Sequence, residues 1–277
     1  MATAAGHAHR GHADAEQGLR PAFSAARVRV GLVVLLFALA ILAWWWAVDQ
    51  MRGMDAGPGT QLGTLGWFLL VWLVMMAAMM LPSVWPTVAL YSRMTKQRSP
   101  VAPLVFTSGY LLTWTAAGLL AYALAEVGRR LFGGEVTWDG AGRWVAGGIL
   151  VVAAVYQLTP AKTVCLRHCR SPLGVLLGHW RPGLSGALRM GSAHGMWCLG
   201  CCWALMASLF ALGIMSITWM AFVTGLIAAE KLLPWRRVAT YGTAAILLAL
   251  GVLVATAPES VPGLTIPGQV QMSDMNM

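Results

Sequence analysis

The stretch VRVGLVVLLFALAILAWWWAV, residues 28–48, carries one charge, Arg29, near its start and closes on Trp44, Trp45 and Trp46. At 1.5 Å per residue, a helix of roughly 20 apolar residues crosses a hydrocarbon core about 30 Å thick, and tryptophans mark a membrane–water boundary. The run begins too far into the chain, and is too long, for a cleavable signal peptide. Asp49-Gln50-Met51-Arg52 follows it in place of a small-residue cleavage pattern, so it reads as a helix that stays. Working outward, further apolar runs at 65–90, 102–125, 143–160, 187–212, 214–230 and 238–257 bring the expected number of spans to seven.

Composition points the same way. The 277 residues are 58% hydrophobic and 10% charged, against about 45–50% and about 25% in soluble domains. Mean hydropathy is +0.67. The predicted fold class is therefore all-α, a polytopic transmembrane helical bundle spanning 28–257. A leader, 1–27, and a Met-rich tail, 258–277, lack helical periodicity and read as mobile ends. At about 30 residues per span and connection, no room is left for a separate soluble catalytic domain. The net charge of +9 is expected to meet phospholipid headgroups, with the lipid bilayer as partner and no nucleic-acid role.

Basic residues are retained on the cytoplasmic side of a span. Arg10, Arg20, Arg27 and Arg29, then Arg93, Lys96 and Arg98, then Lys162, Arg167, Arg170, Arg181 and Arg189, then Lys231, Arg236 and Arg237 all fall on one side. Only Arg52, Arg129, Arg130 and Arg143 fall on the other. The amino terminus is accordingly expected in the cytoplasm and the carboxyl terminus outside. In the third span Gly109, Thr113, Ala117 and Ala121 recur every four residues, a small-residue stripe that reads as helix packing.

All five cysteines lie between 165 and 202. Cys165, His168 and Cys169 share one helical face. His194, Cys198, Cys201 and Cys202 form a second stripe at helical spacing. The charge count puts Cys165 and Cys169 on the reducing side, where stable disulfides are rare, so free thiols are expected. Thiolate, thioether and imidazole select soft ions, Cu(I) first and Zn(II) second, and the spans carry almost no carboxylates for harder cations. Two thiolates leave Cu(I) with an excess negative charge that needs a nearby cation; Lys162, Arg167 and Arg170 are the candidates. Met75 and Met79 share a face of the second span, as do Met76 and Met80, ahead of Pro82 and Pro86, where a kink is expected. His7, His9 and His12 in the leader, and Met272, Met275 and Met277 in the tail, are further soft or borderline donors.

Four motifs together, MMAAMMLPS at 75–83, YQLTP at 156–160, CLRHCRSP at 165–172 and HGMWCLGCCW at 194–203, resemble a bacterial domain-of-unknown-function family described as predicted metal-binding integral membrane proteins. The resemblance covers about residues 65–232. It implies a polytopic protein of the bacterial inner membrane with a metal site at Cys165, Cys169, His194, Cys198, Cys201 and Cys202.

The expectation is a soft-metal site, most simply for Cu(I), assembled inside the bundle for metal transfer or transport, with Met75 and Met79 as weaker stations and His194 as a third ligand or proton acceptor. A metal-donor or metal-acceptor protein is the expected partner, and no catalytic residue is nominated. If α-helical rise continues unbroken from Gly186, Cys198 lies about 18 Å in. Cys165 and Cys169 then reach it only if the chain after Pro160 folds back inward; otherwise there are two sites. A membrane thiol-disulfide oxidoreductase using Cys198 and Cys201, and a non-catalytic assembly or scaffold subunit, are the rival readings. No Walker-type nucleotide loop is present in the sequence.

Overall fold

The computed structural model describes residues 30–52, 63–95, 99, 101–132, 141–178, 180–214, 216–262 and 264. The leader histidines and the tail methionines Met272, Met275 and Met277 lie outside the described residues. Helix follows helix throughout: α1 (Val30–Met51), then α2 (Leu65–Thr95), α3 (Ala102–Phe132), α4 (Arg143–Gln157), α5 (Pro160–Arg170), α6 (Pro172–Gly178), α7 (Gly183–Leu212), α8 (Ile217–Leu232) and α9 (Arg236–Thr256). The architecture is an all-α polytopic bundle.

Five of these helices, α1, α2, α3, α7 and α9, are long and apolar enough to cross a membrane, and α4 with α5 makes a sixth if the bent pair is one span. The seventh expected span, 214–230, corresponds to α8, whose 16 residues make about 24 Å of helix against a core roughly 30 Å thick. Helix α2 runs without a break through Pro82 and Pro86, where a kink is expected.

Helix α7 is the axis of the bundle. Of its most apolar stretch 61% is buried, against 17% for α1, and it packs on α3, α4, α5 and α8. The α3 contact is a meeting of small residues. A Cβ at Gly109 would run into the Leu188 carbonyl, and one at Gly191 into the Phe106 carbonyl. Close approach lets the helices bond directly: Thr113 Oγ1 donates to the Ser192 carbonyl at 3.1 Å, and Ser192 Oγ to the Gly109 carbonyl at 3.0 Å. Gly109 and Thr113 of the stripe read on α3 thus lie against α7, where Gly191 and Gly195 leave room for α3. Glycine also permits the α4–α9 crossing, where a Cβ at Gly147 would lie 2.7 Å from the Gly251 carbonyl oxygen.

The elbow between α4 and α5 decides what reaches α7. Pro160 has no N–H and disfavours helical geometry in the residue before it. Thr159 is extended, with φ −75° and ψ 149°, and caps α5 by accepting from Lys162 N at 3.3 Å. The two helices are bent by 68°. Tyr156 anchors the elbow by donating to the Gly200 carbonyl of α7 at 2.6 Å.

Candidate metal centre

Because α5 turns at Pro160 and lies along α7, its last turn comes level with the middle of that helix. Cys169 of α5 and Cys198 and Cys201 of α7 have sulfurs that all lie within 4.8 Å of one another. Three sulfurs bound to one ion at about 2.3 Å in a plane stand about 4 Å apart, so the trio needs little adjustment to hold one. Cys198 and Cys201 are buried and Cys169 is half-buried. All five cysteines are free thiols.

Cys198 is the hub. The Tyr110 hydroxyl from α3 lies 3.0 Å from its sulfur. Lys231, at the end of α8, donates to the same sulfur from 3.2 Å. The Lys231 ammonium also donates to Ser83 Oγ at 3.1 Å and stands 3.9 Å from the Met80 sulfur, both on α2. The Cys198 carbonyl accepts from the thiols of Cys201, at 3.1 Å, and Cys202, at 2.9 Å. Helices α3 and α8 therefore reach the same α7 sulfur, α2 braces the α8 ammonium, and α5 adds Cys169.

The other sequence candidates are distributed around this cluster. Cys165 faces Gly200, where a Cβ would come within 2.7 Å of its sulfur, so glycine at that position is what lets α5 lie close to α7. Cys202 is buried one helical turn on from Cys198, engaged with its carbonyl. His194 is buried, with its ring tilted against Phe106 and Tyr110 at 6.1 and 6.0 Å and its Nδ1 without a partner among the described residues. His168 stacks on Trp197 at 4.2 Å with rings 9° from parallel, and its Nδ1 lies 2.9 Å from the Val164 carbonyl. Met75 and Met79 are both buried in the core face of α2. It is Met80 that stands beside the Lys231 ammonium.

The charge-balancing groups differ from those expected. Lys162 is committed elsewhere, to Glu230 of α8 at 2.6 Å and to Gln157. Arg170 donates to the carbonyls of Glu230 at 2.9 Å and Leu233 at 2.7 Å, stapling the end of α5 to the end of α8. The cation at the sulfurs is Lys231, which read in one dimension only as a topology marker. An ionisable residue beside an apolar span carries a functional default, and that was the available signal. Tyr110 and Ser83 carried none.

Three thiols gathered from two elements of an apolar helical bundle, with an ammonium and a thioether beside them, make an interior cluster compatible with a soft metal ion. The chain matches the family model described as PpoB2, copper chaperone, over residues 69–254. That is more than half its length, and the chain belongs to this family. No curated protein and no solved structure matches it.

Proposed function

We propose that the protein is a membrane-embedded copper chaperone that carries Cu(I) as cargo on Cys169, Cys198 and Cys201 and passes it to a soft-donor partner protein. The observation that carries this reading is the approach of the three sulfurs to within 4.8 Å from two separate helices. Sulfur donors select soft ions, Cu(I) among them, and the neighbouring Met80 thioether is of the same soft class. A buried ion must also be charge-balanced. With two of the three sulfurs ionised and the third a neutral thiol, the thiolates, one Cu(I) and the Lys231 ammonium sum to zero, so cargo enters in exchange for the released protons without leaving net charge inside the bundle.

Cys169 is the entry and exit ligand in this reading. It is the half-buried member of the trio and sits on α5, a short helix hung from the Thr159–Pro160 elbow, whereas Cys198 and Cys201 are buried in the axial helix. Transfer proceeds by ligand exchange, with a partner sulfur replacing Cys169 and then drawing the ion from α7. His194, whose Nδ1 has no partner among the described residues, and the Met75 and Met79 face serve as flanking weak stations; Cys165, His168 and Cys202 shape the walls. The setting is the bacterial inner membrane, with the basic ends of α2, α5 and α8 toward the cytoplasm, a placement supported by the Lys and Arg bias between connections.

Copper analysis of detergent-purified protein after anaerobic Cu(I) loading tests the proposal. Wild type should retain about one copper per chain and the Cys198→Ser/Cys201→Ser variant close to none. Equal, near-zero retention in both removes it.

A further inference from the structure

Lys231 is the half-buried cation whose ammonium meets a thiol sulfur. Lys162 has Glu230 as its counter-ion, while among the described residues no carboxylate lies in ion-pair range of Lys231. The partners of its ammonium are the Cys198 sulfur at 3.2 Å, Ser83 Oγ at 3.1 Å and the Met80 sulfur at 3.9 Å. Its neighbour Glu230 directs its carboxylate to Lys162 instead. The full ammonium charge therefore acts on whatever the Cys198 sulfur holds.

We infer that Lys231 is a specificity-determining residue, its fixed positive charge beside Cys198 selecting a monovalent soft ion over a divalent one. An ion bound to Cys198 at about 2.3 Å lies within about 5.5 Å of the ammonium nitrogen. With the same number of thiols ionised, a second positive charge on the ion meets one further unit of repulsion at that distance. Thiolate chemistry alone does not supply this discrimination, since sulfur-rich sites take Cu(I) and Zn(II) alike. At an effective dielectric near 20, the added repulsion corresponds to a selectivity of about 100-fold. Ser83 and Met80 hold the ammonium in place from α2, so the selector is built from two helices outside the thiol cluster.

The inference rests on the proposed thiol site and is tested so that the two fail separately. Ag(I) and Cd(II) are soft ions of the same electron count that differ by one charge. Their affinities are measured by competition titration on the detergent-purified full chain for wild type, Lys231→Met, Lys231→Gln and Lys231→Arg. The neutral variants should narrow the Ag(I)-to-Cd(II) affinity ratio by about 10- to 100-fold, chiefly through tighter Cd(II) binding. Lys231→Arg, which keeps the charge, should restore the wild-type ratio; a merely structural lysine would not produce tighter Cd(II) binding on removal. An unchanged ratio in both neutral variants that bind Ag(I) overturns the inference and leaves the thiol site standing. Failure of wild type to bind Ag(I) or Cu(I) overturns the site itself.

Discussion

Removing one partner of the Lys162–Glu230 pair should loosen the arm that delivers Cys169. The pair closes at 2.6 Å with side chains 1% and 2% exposed, so neither charge has water to fall back on. It joins α5 to α8 just beyond the elbow, and Gln157 at the end of α4 accepts from the same ammonium. Glu230→Leu leaves a buried ammonium facing only an amide, a change that costs about 3–5 kcal/mol in comparable pairs. Replacing both residues, as Lys162→Met/Glu230→Leu, removes the desolvation penalty with the attraction and is expected to be neutral or stabilising by about 1–4 kcal/mol. Thermal unfolding in detergent reads the stability difference, and Cu(I) competition reads the consequence for the site. The single variant should unfold earlier and bind Cu(I) more weakly; the double variant should regain stability. A single variant as stable as wild type, or a double variant no better than the single, would refute the claim that this buried pair holds α5 in position.

Gly191→Leu should prevent α3 and α7 from meeting, because even a Cβ there runs into the Phe106 carbonyl; overpacking of about 1–3 kcal/mol or more is expected, seen as lowered thermal stability. Gly200→Val should push Cys165 and α5 off α7 and weaken Cu(I) binding by at least about tenfold while leaving both α7 thiols in place, as competition titration would record. Cys202→Ala should change Cu(I) affinity far less than Cys201→Ala, since its sulfur lies outside the trio; equal losses would enlarge the site. Reporter fusions at the two ends should place the amino terminus in the cytoplasm and the carboxyl terminus outside, and the reverse result would invert the proposed orientation.

Much of the bundle is legible in one dimension because lipid imposes a one-dimensional signal: long uncharged runs with aromatic ends. The limits of that signal show at α8, where 214–230 is apolar enough to read as a span but folds into 16 helical residues. They show again at 143–160, a run that reads as one span although Pro160 begins a second helix bent away by 68°. The clustering of cysteines within 165–202 marks the site, and the helical offsets of 198 and 201 place both sulfurs on the inward face. Which third sulfur joins them depends on the elbow: an unbroken helix leaves Cys169 distant, and the fold-back brings it in. Lys231 was the least legible element. A charge count assigns a residue to a side of the membrane but says nothing of where a four-carbon stem turns, and here it turns inward to Cys198.

X-ray absorption at the copper edge of the Cu(I)-loaded chain, beside Cys169→Ser, addresses the central claim most directly. Three sulfur neighbours at about 2.3 Å are expected in wild type, falling to two in the variant. A spectrum dominated by nitrogen or oxygen neighbours, or one unaltered by loss of Cys169, would contradict a site shared between α5 and α7.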